Sequence, residues 1–191
     1  SRVDGLGNAD SRIDGNDYGI YSRYLGYNPN PEGRRANTFN DVLIEDTSID
    51  NSGKKGMYLE AASNLTLNRV TVNGTGSQAP VRPDSDGIPF AGIDVNAKYV
   101  NDSPAPAFGN ITLSQVTVSG TVPNPAVSPA EQSAIAIKAR NDGSYAANAA
   151  TLTGVEITDS VIRDNATKGI IVGNAVEDAS VSQTTISGNG G

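Results

Sequence analysis

The sequence predicts an all-β solenoid, a right-handed parallel β-helix with three short strands in each coil, on three observations. A strand pattern recurs five times along the chain, large apolar side chains are scarce, and turn-forming residues are abundant. Of 191 residues, 37% are hydrophobic and 5% aromatic, and tryptophan is absent. A globule of this length normally fills one deep, close-packed centre with large apolar side chains. A solenoid core is a thin column that small and β-branched residues fill. The 21 glycines, with many Asn, Asp, Ser and Thr residues, suit short strands joined by tight turns.

The repeat justifies the strands one by one. Segments 41–51, 64–74, 110–120, 154–164 and 178–188 each hold an apolar-x-apolar strand, a two-residue polar corner and a second short strand ending in Asn, Asp or Gly. Alternation with a period of two marks strands with one face buried. Between them recurs a third strand: Gly19-Ile20-Tyr21, Gly56-Met57-Tyr58-Leu59, Gly92-Ile93-Asp94-Val95, Ala134-Ile135-Ala136-Ile137 and Gly169-Ile170-Ile171-Val172. Equivalent positions Val42, Leu65, Ile111, Val155 and Ala179 are separated by steps of 23, 46, 44 and 24 residues. Each step contains a single strand of the third kind, so the long steps are single coils with loop insertions. Stacking predicts inward ladders Val42/Leu65/Ile111/Val155/Ala179 and Ile20/Met57/Ile93/Ile135/Ile170, and left-handed corners near Asn51, Asn73 and Asn165.

From Tyr18 onward, this three-strand unit of 23 residues resembles the pectin-lyase-like right-handed β-helix superfamily. The resemblance implies a single domain over 1–191 with about five to six coils, residues 1–17 fitting least clearly. It is specific for the fold and not for the function. No catalytic or calcium signature of the superfamily is present, so the carry-over stops at the fold. The chain reads as a segment of a longer β-helix, with further coils or another chain covering its open ends.

Composition narrows the function. A net charge of −7 disfavours nucleic acid, which needs a basic face. No apolar stretch reaches membrane length. Without Cys or His there is no disulfide framework, no thiol chemistry, and no basis for a zinc hydrolase or a Ser-His-Asp scheme.

Loops near 75–90, 99–109, 121–133 and 140–150 should wall a trench, the outward face of the third-strand sheet forming its floor. Outward columns there read Tyr21, Tyr58, Asp94, Ala136, Ile171; then Arg23, Glu60, Asn96, Lys138, Gly173; then Ala62, Lys98, Arg140, Ala175. Tyr58, Asn96, Lys98, Lys138 and Arg140, with Asp84 and Asp86 leaning over from a turn, are therefore the candidate sugar-binding residues. Asp94 and Glu60 are the candidate catalytic carboxylates of a glycoside hydrolase, which needs an acid and a base or nucleophile. A polysaccharide lyase is the lesser reading, with Lys98, Lys138 and Arg140 neutralising a uronate and one of them or Tyr58 taking the α-proton. No cofactor is required, and Ca²⁺ is a weak expectation resting on Asp84, Asp86 and Asp94. The alternative is a non-catalytic adhesin or tailspike module. Either reading places the protein in a secreted or cell-surface setting of a bacterium or phage. Lys54-Lys55 reads as a solvated turn, and sequons at Asn64, Asn73, Asn110 and Asn165 read as repeat residues.

Overall fold

The computed structural model describes residues 2–3, 11–22, 39–77, 87–98 and 107–190. Among them 61% lie in strands and none in an α-helix, so the class is all-β. The strands run in chain order as β1 (Arg2–Val3), β2 (Ser11–Asp14), β3 (Tyr18–Ser22), β4 (Phe39–Asp50), β5 (Lys55–Leu59), β6 (Ala62–Asn73), β7 (Ala91–Ala97), β8 (Ala107–Ser114), β9 (Thr117–Ser119), β10 (Ser133–Ala139), β11 (Thr151–Thr158), β12 (Val161–Arg163), β13 (Lys168–Val172), β14 (Val176–Ser182) and β15 (Thr185–Ser187). They form two sheets of ten and five strands, and every pairing is parallel. In the smaller sheet, spatial order follows chain order from β3 through β5, β7 and β10 to β13.

Register matches the repeat residue for residue. Val42, Leu65, Ile111, Val155 and Ala179 stand in one column of the larger sheet. Ile20, Met57, Ile93, Ile135 and Ile170 form a column of the smaller one. The two ladders supply much of the buried core, which small and branched side chains fill. Burial fades at the last layer, where Val172, Val181 and Ile186 are exposed.

Glycine in the Gly-Ile-x-Val strands has a steric cause. A Cβ at Gly56 would overlap the Val72 side chain and the Gly92 carbonyl, and one at Gly92 would come within 2.5 Å of Val118. The smaller sheet therefore lies close against the larger sheet's second-strand column.

Two sequence expectations are corrected. The polar corner inside each 11-residue segment does not always interrupt the strand. In β4 and β6 the chain stays paired throughout and bends at Asp46 and Arg69, both left-handed with φ 48° and 54°. Only in later repeats does the bend, at Gln115, Asp159 and Gln183, separate two strands. The second correction concerns the predicted corner. Asn51 is left-handed, but its column continues as Gly74, Gly120, Asp164 and Gly188, beside Asn73 and Asn165 rather than on them. These residue types tolerate positive φ best.

The residues after that corner stack as Ser52, Thr75, Thr121 and Asn165, all buried. Backbone bonds tie neighbouring layers, Val122 N–H to Thr75 O at 2.8 Å and Ala166 N–H to Thr121 O at 2.9 Å. Asn165 also accepts from the Thr121 N–H and donates to the Val118 carbonyl, whereas the Ser52, Thr75 and Thr121 hydroxyls find no partner among the described residues. A buried hydroxyl without a partner costs about 1–3 kcal/mol, and breaking a made buried bond costs as much. Thr121→Val is therefore expected to hold or raise the urea midpoint, while Asn165→Ala lowers stability by about 1–3 kcal/mol. Equal losses in chemical denaturation would refute this account of the column.

Candidate functional site

The smaller sheet turns its outward face to an open cleft of about 1320 Å³ that reaches from Tyr18 and Tyr21 at one end to Gly173 at the other. Across five strands spaced about 4.8 Å apart, this is an elongated floor crossed by strands. The columns are those of the repeat, since Tyr21, Tyr58, Asp94, Ala136 and Ile171 are in register.

One rim is well defined. Gln132 is buried and locks residues 87–90 to the 121–132 segment. Its Oε1 accepts from the Asn124 N–H at 2.6 Å and the Phe90 N–H at 3.4 Å, and its amide donates to the Asn124 and Val127 carbonyls, both at 3.0 Å. Asn124 donates in turn to the Ile88 carbonyl at 2.9 Å. This brings Ile88, Pro89, Ala130 and Glu131 to the cleft. The opposite side carries the 3₁₀ turn Gly143–Asn148, whose Tyr145 lies under the Arg140 guanidinium, 4.6 Å from ring centroid to Cζ. Asp84 and Asp86 lie outside the described residues, as do Arg23 and the 99–106 part of a predicted loop.

At the β3 end, three tyrosines cluster, with centroids 4.8 Å apart for Tyr18–Tyr21 and 5.6 Å for Tyr21–Tyr58. Tyr21 is the exposed member. Tyr58 is the pivot of a polar network. Its oxygen accepts from Asn96 Nδ2 at 3.0 Å and Lys98 Nζ at 3.2 Å. Burial pushes the Tyr58 phenol well above its ordinary range, helped by the Glu60 charge and a hydrogen bond to Glu60. It is a held, protonated donor to Glu60, not a base.

Sequence reasoning missed Lys55. Instead of a solvated turn, Lys54 and Lys55 are 3% and 4% exposed, and both line the cleft. Lys55 opens strand β5 and ion-pairs with Asp94, its ammonium 4.2 Å from the Tyr58 centroid. The signal was present: Lys55-Gly56-Met57 has the pattern of Lys168-Gly169-Ile170, which puts the lysine at the start of a floor strand.

Asp94 is 1% exposed and sits beneath the floor rather than along the cleft. Lys138 Nζ lies 3.4 Å from both carboxylate oxygens and donates to Oδ2, the oxygen Lys55 also contacts, so Oδ1 has no hydrogen-bond donor among the described residues. Burial alone would raise the Asp94 carboxyl, but the charges and hydrogen bonds of Lys55 and Lys138 outweigh it and hold the group below its ordinary value. Burial pulls Lys55 below the ordinary lysine range; Asp94 opposes the shift, while Lys138 and Lys98 add to it. Glu60, 2% exposed, does line the cleft and pairs with Lys98 at 2.6 Å. Lys54 stands 3.7 Å from Asp17, and Arg140 2.6 Å from Asp142.

The arrangement gathers Tyr58, Glu60, Asn96, Lys98, Lys138 and Arg140 around one cleft, with Asp94 as the anchor below. Among the described residues, no three His, Cys, Asp or Glu side chains are grouped to hold a metal ion. Asp94 is engaged by two ammonium groups and does not fit a calcium ligand set. No helix among the described residues is long and apolar enough to cross a membrane. Comparison with protein-family models, curated proteins and solved structures finds no match of any kind.

Because the folded-state pKa of Asp94 lies below its ordinary 3.8, ionised Asp94 adds stability that is whole above that value. This stability drains away as pH falls through the folded-state pKa. Asp94→Asn leaves Lys55 buried beside two other cations and is expected to cost about 3–5 kcal/mol at neutral pH. It should also flatten the acid limb of the stability profile. Adding Lys55→Met should recover most of the loss, because no buried ammonium is then left unpaired. Thermal melts from neutral to acid pH measure all three proteins; an unchanged acid limb in Asp94→Asn would refute the assignment.

Proposed function

We propose that the chain is a right-handed parallel β-helix of the pectin-lyase-like kind and that its cleft binds an oligo- or polysaccharide outside the cell. The winding reading is supported by strands that stack in chain order in the smaller sheet and outward from β6 along each arm of the larger one, β8-β11-β14 and β9-β12-β15, while sequence steps vary from 23 to 46 residues. Each repeat then contributes one layer, and the extra residues leave as loops.

The observation that carries the glycan reading is the pairing of an exposed tyrosine platform with a polar floor in one elongated cleft. Sugar rings have apolar faces that stack on aromatic rings, and their hydroxyls need donors and acceptors set at fixed positions. Tyr21 and Tyr58 supply the first requirement, and Asn96, Lys98, Lys138 and Arg140 the second. A tandem row of strands suits a linear polymer lying along the rod.

Cleavage by the Glu60 and Asp94 carboxylates is the second reading, favoured by their nearness in the sheet, Asp94 beside Tyr58 and Glu60 one residue past the end of β5. Binding without turnover accords better with the geometry. Asp94 is engaged by two lysines and Glu60 by Lys98, so both carboxylates are committed to ammonium groups rather than open to a leaving oxygen. Such a module belongs on a secreted or surface protein of the adhesin or tailspike type.

An oligosaccharide array, followed by calorimetry on the hits, tests the reading. Tyr21→Ala removes an exposed ring without touching the core and is expected to weaken binding by about tenfold. Product release that disappears in Glu60→Gln would install the hydrolase reading instead. No binding anywhere on the array would remove the glycan altogether.

A further inference from the structure

The charges along the cleft are arranged in a way that selects among glycans. Every cationic head described there stands within 3.7 Å of a carboxylate. Lys55 and Lys138 share Asp94, which leaves one positive charge in that group, and Glu131 on the rim supplies one negative charge. Among the described residues the lining is therefore close to electroneutral, inside a chain whose net charge is −7. A polyanion entering it would find each ammonium or guanidinium already engaged, Lys55, Lys98 and Lys138 by the buried carboxylates of Asp94 and Glu60 and Arg140 by the exposed Asp142. Breaking a buried pair by taking one partner away is costly, and the field of the whole molecule opposes an anionic ligand besides.

The floor also makes a hydrogen-bonding demand that a sugar can meet. Asn96 is 5% exposed, lines the cleft, and its Oδ1 has no partner. Its orientation is fixed by Tyr58. The phenol proton goes to Glu60, so the Tyr58 oxygen accepts, and the Asn96 side that faces it must be the Nδ2 donor. The acceptor that remains asks for a hydroxyl or amide N–H. Any sugar hydroxyl can answer it, those of acidic sugars included, so this contact positions a sugar ring while discrimination against uronate and sulfate rests on charge.

We propose that the cleft selects neutral, hydroxyl-rich sugars and rejects uronate or sulfated ones, with Asn96 Oδ1 accepting a sugar hydroxyl at the floor. This rests on the glycan reading above and deepens it. It also disfavours β-elimination at this site, because that chemistry requires an uncommitted cation at the substrate carboxylate.

The test is an array of neutral hexasaccharides (gluco-, manno-, xylo- and galacto-oligomers) beside hexagalacturonate, an alginate hexamer and a sulfated hexamer, read at low and high NaCl. Neutral ligands are expected to bind about tenfold or more tightly than any acidic one, with affinity changing by less than about twofold across the salt range. Asn96→Ala should weaken the neutral ligand by about tenfold with no change in salt dependence. Asp142→Asn uncovers Arg140 at the exposed edge and should admit hexagalacturonate in a salt-sensitive manner, a gain that a merely structural Asp142 would not produce. Preferential binding of an acidic hexamer by the unaltered protein, falling steeply with salt, overturns charge selection while leaving a glycan site in place. Binding of none of the hexamers overturns both.

Discussion

Parallel register is the constraint on which everything else in this molecule rests. Stacked strands one repeat apart place like positions about 4.8 Å above one another, so a side chain's neighbours are set by its column. Core columns lock that register, because a slip by one residue would turn Ile93 and Val95 outward and Asp94 into the core. The Gly56–Gly92 approach makes the lock stereospecific, since no other residue fits between the two sheets there. The Tyr58–Asp94 adjacency and the Asn96–Tyr58 hydrogen bond in the cleft floor follow directly.

The polar floor shows how charged groups survive inside such an arrangement. Strand β7 is buried along its whole length, on the outward face as well as the inward one. Its outward side is covered by the stems of Lys55, Lys98 and Lys138, whose heads meet Asp94 and Glu60. Lysine stems supply apolar cover and their ammonium groups the compensating charge. Such pairing is weak as a source of stability but strong as a source of position, since each carboxylate has a fixed place and each lysine a fixed direction.

Much of this was legible in the sequence, and the reasons are particular. The outward column Tyr21, Tyr58, Asp94, Ala136 and Ile171 was legible because a 23-residue step with period-two alternation leaves one alignment of Ile20, Met57, Ile93, Ile135 and Ile170, whereas Ala62, read as outward, opens β6 and is buried in the core. Lys55 was misread because a Lys-Lys pair after Ser-Gly looks like a turn; only the strand pairing to Ala91 shows it to be the first floor residue. The merging of two strands within β4 and β6 was hidden because Asp46 and Arg69 keep both neighbours paired while taking positive φ. The burial of Asp94 escaped notice for a different reason: two lysines from neighbouring layers close over it, and one-dimensional spacing says nothing of side-chain direction. Two sequon asparagines take part in a side-chain ladder along the sheet. Asn110 donates to Asn64, and Asn64 to Asp41, in a ladder that employs those amides structurally.

The unequal repeat steps have a consequence for how such a protein changes over generations. Steps of 23, 46 and 44 residues give the same stacking of Val42, Leu65, Ile111 and Val155. Insertions are thus absorbed outside the sheets without disturbing any column. Floor and walls consequently accept mutation under separate rules. A floor residue is tied to its neighbours above and below, so it drifts only in concert with them. A wall segment answers to its two anchoring ends alone and is free to lengthen, shorten or be exchanged whole. A lineage built on this frame diversifies what it recognises by rewriting its loops while it inherits the floor nearly intact.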